Sequence, residues 1–369
     1  MSDDKSRKRL DAFKEASRKK GEAEINRRRA GSIQNDPPVL TPGTHQLKCA
    51  STSPTDKLKL NLRVHRLPLR FLISISNLAL LLICCAVNVN PQEKRMKIYI
   101  SADMEGVVGV VTGEQLGPQG FEYQRFREFM TQEVNAAIEG ALAAGATEIV
   151  VSDSHGNGQN LLIEKLPKDI LLVRSWPRPL MMMQGIDASF AGAVFIGYHA
   201  GTTNMQGVRA HTISSARLAD VKLNNRSMSE AGINAAIAGH FNVPVIMISG
   251  DDVVVKETAA LLGDVEGAVV KWASGFHSAK TMMPEASYQL IREKVRKAVG
   301  RIKDFKPYKI ASPVTLDVRF KNYRPSEVLS YLSIVERTDA HSIRFIGKDM
   351  IEVSKFLEFI NTYELSLEP

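Results

Sequence analysis

The sequence has little cysteine and keeps all of it away from its main body: Cys49, Cys84 and Cys85 are the three in 369 residues, and each precedes residue 96. From Met96 onward the chain therefore has neither a disulfide framework nor a thiolate metal site available to it. Any metal held there must use oxygen and imidazole donors. The same stretch also lacks a surplus of positive charge. A formal charge of +8 would by itself point to a nucleic-acid or membrane partner, yet residues 1–95 carry 19 Lys and Arg against 9 Asp and Glu, and the remainder 29 against 31. The net +10 belongs to the N-terminal extension and the body stands at −2, so no basic footprint for nucleic acid remains there.

Residues 1–66 lack a sustained hydrophobic period. They are basic ("KSRKRL", "SRKK", "NRRRAG") and then rich in Pro, Thr and Ser, which reads as a largely disordered extension without a core. A long apolar run then occurs in "FLISISNLALLLICCAVNV", Phe71–Val89, within a segment spanning 67–95. Its length is near the lower limit of about 18 residues for a bilayer span, and Arg63, Arg66 and Arg70 upstream suit a cytoplasmic N-terminal side. It lies too late for a signal sequence, which occupies roughly the first 30 residues. Two readings follow: a membrane anchor, or a working protein that starts at Met96 and is cytoplasmic. The complete first strand directly after Met96 favours the second.

The body has room for a sizeable core. Four segments share one pattern, an aliphatic run and then an abrupt polar turn: "KIYISADMEG", "EIVVSDSHGNG", "AVFIGYHAG" and "VPVIMISGDD". Continuous rather than alternating apolar residues predict strands covered on both faces. Helices are predicted between them, one over "EYQRFREFMTQEVNAAIEGALAAGA" and one over "SEAGINAAIAGHFN" behind a Ser229 cap. The alternation predicts an α/β domain over 96–306, a mostly parallel sheet with helices on both faces. A smaller α+β unit is expected over 307–369, from "VTLDVRF", "PSEVLSYL", "HSIRFIG" and the final helical segment.

In such a sheet ligands gather beyond the carboxyl ends of the strands. Each polar turn sits at such an end, so Asp103, Glu105, His155 and His199 are candidate metal ligands on one rim, with Asp153 and Asp251 nearby. The "DME" alternation is expected to turn Asp103 and Glu105 to the same side. Carboxylates and imidazoles without cysteine suit zinc or a similar divalent ion, and more than four candidate donors favour two ions over one. The blander readings are a turn-capping His155, caps at Asp153 and Asp251, and a surface acid at Glu105. Joint occurrence at successive strand ends is what a set of unrelated caps does not require.

Together "SADMEG", "SDSHGN", "GYHAG", "RAHTIS", "SEAGINAA" and "SGDD" resemble, in order, the zinc-dependent D-aminopeptidase family associated with dipeptide-transport operons, over about residues 96–369. The resemblance implies a pair of zinc ions bound by Asp103, Glu105, His155, His199 and Glu230, with His211 assigned to catalysis. It also implies short peptides of D-amino acids as substrate, and a ring-shaped homo-oligomer. Glu230 follows the Ser229 cap, where the helix dipole favours a carboxylate by up to about 1 kcal/mol. The segment after Lys271 departs from the family, which carries an arginine where this chain has Phe276 and His277; that bears on substrate preference. The substrate's amino group would be met by a metal ion, Asp251 or Asp252. Rival readings are a dinuclear phosphoesterase, which lacks here its "DxH" first strand and closing "GHxH", and a non-catalytic membrane-tethered binding module.

Overall fold

A computed structural model describes residues 95–363. The readings of 1–66 as disordered and of Phe71–Val89 as a membrane segment fall outside those residues. Among the described residues, no helix is long and apolar enough to cross a membrane.

Among the described residues the first element is strand β1 (Lys97–Ala102), from which the backbone crosses over through helix α1 (Tyr123–Ala143) to β2 (Glu148–Asp153) and continues through β3 (Leu171–Val173) and β4 (Phe190–Tyr198). After β5 (Leu218–Leu223) and β6 (Arg226–Ser227) come α2 (Glu230–His240), β7 (Val245–Asp251), α3 (Asp252–Leu262), β8 (Glu266–Gly275), β9 (Ser278–Thr281) and α4 (Pro284–Gly300). The last third holds β10 (Val314–Phe320), α5 (Tyr323–Leu329), β11 (Val335–Asp339), β12 (Ser342–Gly347) and α6 (Met350–Thr362).

Strands β3-β2-β1-β4-β7-β8-β9 form one sheet, parallel from β3 to β8 with β9 antiparallel at its edge. β1 and β7 are buried along almost their whole length, as their unbroken apolar runs require. One face packs on α1 and α4 through Ile98, Ile100, Val134, Ile138, Ile291 and Val295. The other packs on α2, whose residues Glu230 to Gly239 are all buried. A helix apolar or small on every side has no solvent face, and Ala231, Ala235, Ala236 and Ala238 let α2 sit deep in that second core.

The second sheet, β11-β12-β10-β5-β6, is antiparallel throughout. The expected unit from residue 307 is thus not closed on itself. Its central strand β10 pairs with β12 on one side and on the other with β5, drawn from the middle of the chain. β5 ("LADVKL") is short and alternating, so it buries Leu218, Val221 and Leu223 only once β10 has covered one of its edges.

Candidate metal centre

Three loops and one helix end meet at the carboxyl edge of the first sheet. Asp103 directly follows β1, His155 comes two residues after β2, His199 directly follows β4, and Glu230 begins α2. Asp103, Glu105, His155, His199 and Glu230 are all buried, and His211, in the loop ahead of β5, is largely so, with 12% of its side chain exposed. His155 Nδ1 lies 3.2 Å from Asp103 Oδ1 and 2.9 Å from Glu105 Oε2. His199 Nε2 lies 3.3 Å from Asp103 Oδ2 and 3.4 Å from Glu230 Oε1. His211 Nε2 is 3.7 Å from the same Glu230 oxygen, and its ring stacks on His199 with centroids 4.0 Å apart.

The two acids after β1 come together differently from the expected strand alternation. The chain bends at Met104, whose carbonyl accepts the N–H of Val107 at 3.1 Å, so a turn rather than the pleat aims Glu105 back at Asp103. That turn depends on two glycines. Gly106 donates to the Gly197 carbonyl at 2.7 Å, and a Cβ on Gly106 would stand 2.0 Å from the Tyr198 carbonyl oxygen. Gly197 itself holds φ +70°, and a Cβ there would meet the Asp103 carbonyl oxygen at 2.3 Å. The "DMEG" and "GYH" segments therefore fit only as a pair.

Each of the three histidines spends one ring nitrogen on a backbone carbonyl. His155 Nε2 donates to Leu116 O at 2.7 Å, His199 Nδ1 to Ala200 O at 3.0 Å, and His211 Nδ1 to Arg209 O at 2.8 Å. A carbonyl only accepts, so an N–H must be on that nitrogen, and the other nitrogen is turned to the carboxylates, where it can bind a metal once any proton on it is displaced. This is how metal-ligating imidazoles are oriented. On the acidic side, Asp103 Oδ2 and Glu105 Oε2 are buried without a hydrogen-bond partner, with ring nitrogens of His199 and His155 standing 3.3 and 2.9 Å away. The donor atoms of Asp103, Glu105 and His199, and again those of His199, His211 and Glu230, lie within 4.8 Å of one another. Buried oxygens with unused lone pairs beside oriented imidazoles fit a divalent ion of the zinc kind.

The electrostatics agree. Burial, then the charge of Glu105, pushes Asp103 up to about 7. Burial also works to raise Glu105, but His155 outweighs it and holds that carboxyl well below its usual range. Burial opposes charge on His199, yet Glu230 and Asp103 lift it to about 10, and Glu105 and Asp103 lift His155 well above its ordinary value in the same way. Burial and the neighbouring His199 move His211 down. Protons on imidazole and a divalent cation are alternative ways of balancing the same three carboxylates. A metal must displace protons that His155 and His199 hold tightly at neutral pH, so lower pH favours the protons. Zinc affinity is accordingly expected to fall as pH drops from 8 to 6, by about tenfold per pH unit for each proton displaced. Calorimetry in buffers of different ionisation enthalpy measures the protons released; a pH-independent affinity would contradict the donor set.

A family model described as D-aminopeptidase, peptidase family M55, matches residues 96–359. The chain belongs to that family. It is 34% identical over 258 residues to the D-aminopeptidase of Bacillus subtilis (strain 168), covering 70% of this chain and 93% of the relative. Among solved structures it resembles the "Zn-dependent D-aminopeptidase DppA from Bacillus subtilis, a self-compartmentalizing protease", with a TM-score of 0.69 and 33% identity over 72% of this chain and 96% of that one. The described part is thus an α/β enzyme of the D-aminopeptidases.

Within this D-aminopeptidase fold the remaining acids are structural. Asp153 accepts the N–H groups of Asn160 and Leu161 at 2.6 and 2.8 Å, and so shapes the turn that carries His155. Asp251 caps α3 by accepting from Val254 N at 2.8 Å and holds Val208 N with its other oxygen at 2.7 Å, which leaves it poorly suited to a substrate's amino group. Asp252 accepts from Ala273 N at 2.8 Å. At the departure after Lys271, the Arg209 guanidinium lies 5.2 Å from the Phe276 ring centroid, with Nη1 3.0 Å from His277 Nε2. A guanidinium is therefore present at that hairpin, supplied from the loop that also carries His211. No local pattern signals this pairing, because its partners are 68 positions apart.

Proposed function

We propose that the chain is a metal-dependent aminopeptidase that releases the N-terminal residue of short peptides, D-amino-acid peptides in particular. Two zinc ions would be held by Asp103, Glu105, His155, His199 and Glu230, with His211 as the catalytic residue. The observation that carries the reading is the convergence of three carboxylates with three imidazoles, each of which turns one ring nitrogen toward those carboxylates. The description of the Bacillus structure as zinc-dependent supports the choice of metal, and five buried candidate ligands, more than one tetrahedral ion takes, support a pair of ions.

Zinc, when bound, supplies Lewis acidity toward the scissile carbonyl and lowers the pKa of water toward about 7. The chain's own residues do the rest. Asp103 and Glu105 hold their carboxylates in a buried site, where they can bind the ions. His211, shifted toward its neutral form, keeps Nδ1–H on Arg209 O and presents Nε2 as a base. It can take a proton from the attacking water and return it to the departing amine, or donate toward the tetrahedral intermediate. His211→Ala is expected to lower kcat by roughly 10²- to 10⁴-fold with zinc content unchanged. Loss of zinc in that variant would make His211 a ligand instead.

Leu332, Ile334 and Ile346 are 39%, 61% and 59% exposed around an apolar groove beside α6, a surface of the kind that a second copy covers. With the relative described as self-compartmentalizing, this supports a homo-oligomer. The functional reading is tested by assaying zinc-loaded protein on D-Ala-D-Ala, L-Ala-L-Ala and p-nitrophenyl phosphate. Cleavage of the D-dipeptide above the other two is expected. Turnover of the phosphate ester alone would favour the phosphoesterase, and zinc binding without any turnover the binding module.

A further inference from the structure

Lys271 lies within the apolar run "GAVVKWA" of β8 and is 0% exposed. Burying an ammonium is costly unless its protons all find acceptors, so its partners show its role. Nζ donates to the carbonyls of Glu105, Val107 and Val110 at 2.5, 3.0 and 2.7 Å. An ammonium has three protons, and here all go to one loop, the one that follows β1 and carries Glu105. β1 and β8 are not neighbours; β4 and β7 stand between them. The loop crosses two strand ends before it reaches the lysine.

Three of the loop's N–H groups are held from elsewhere in the fold. Gly106 donates to Gly197 O, Val108 to Glu133 Oε1 at 3.0 Å, and Gly109 to Thr281 Oγ1 at 2.9 Å. Having no strand or helix of its own, the loop depends on these side chains to satisfy its buried backbone. The Glu105 carbonyl is the group in that ladder belonging to a candidate metal ligand.

We infer that Lys271 is a positioning residue for the metal centre: by binding three carbonyls of that loop it fixes the backbone at Glu105, and through it the place of the Glu105 carboxylate among the donors. The inference rests on Glu105 being a ligand. Supporting contacts behind metal ligands are typically worth about 10- to 100-fold in metal affinity.

The test measures zinc affinity by chelator competition, together with amide exchange over residues 106–110, in wild type, Lys271→Met, Lys271→Arg and Val318→Ala. Val318 is a buried residue of β10 on the other sheet and serves as the control for general loss of stability. The Lys271 variants are expected to bind zinc at least tenfold more weakly and to exchange the loop amides faster, whereas Val318→Ala does neither. Lys271→Arg keeps the charge, so it answers the question should Lys271→Met fail to fold, because a planar guanidinium cannot occupy the same three carbonyl positions. A folded Lys271 variant with wild-type zinc affinity, or an equal loss in Val318→Ala, would overturn the inference alone. Wild-type protein that binds no zinc would overturn the metal reading beneath it.

Discussion

His199→Ala is expected to lower kcat/KM by at least about 10³-fold, since the Lewis-acid contribution at stake is several kcal/mol and each 1.36 kcal/mol is tenfold. The size follows from position. His199 stands between Asp103 and Glu230, so its loss takes an imidazole from the middle of the proposed donor set. It also leaves Asp103 Oδ2 and Glu230 Oε1 without the imidazole that stands 3.3 and 3.4 Å away. Bound zinc, measured by elemental analysis of the folded variant, should fall below the wild-type ratio. Unchanged stoichiometry would remove His199 from the ligand set.

Gly106→Ala acts on the frame rather than the donors. The added methyl would meet the Tyr198 oxygen at 2.0 Å and the Gly197 carbonyl carbon at 2.5 Å, both of them backbone atoms of a central strand that cannot turn aside. Relief requires the loop or the strand to move, at a cost of about 3 kcal/mol or more. That corresponds to a fall in Tm on the order of 5–10 °C. The Asp103 carbonyl oxygen packs close on Gly197 in the same place, so zinc binding should weaken along with stability. A variant with wild-type Tm and wild-type zinc content would show that the close approach carries no weight.

Much of this was legible in the sequence because its signals are local. An aliphatic run followed by an abrupt polar turn marks a covered strand and its carboxyl end, and that rule alone places Asp103, His155 and His199 on one edge. The Ser229 cap likewise fixes Glu230 at a helix start, where the structure has it. What could not be read depends on contacts between distant residues. β5 finds its place only through β10, roughly a hundred positions later. The tautomers of His155 and His199 are set by the carbonyls of Leu116 and Ala200, which any residue type could supply. Lys271 did leave a trace, a lone ammonium inside an apolar strand. Such a residue needs acceptors, but nothing nearby in sequence says that they are the carbonyls of the loop behind Glu105. Arg209 reaches Phe276 and His277 by the same kind of long-range meeting.

The most direct measurement of the central claim is anomalous diffraction at the zinc edge from crystals of zinc-loaded protein. The account predicts two peaks, each at zinc–ligand distances of about 2.0–2.2 Å from atoms of Asp103, Glu105, His155, His199 and Glu230. Zinc located elsewhere on the molecule, with these five side chains still turned only to one another, would contradict it.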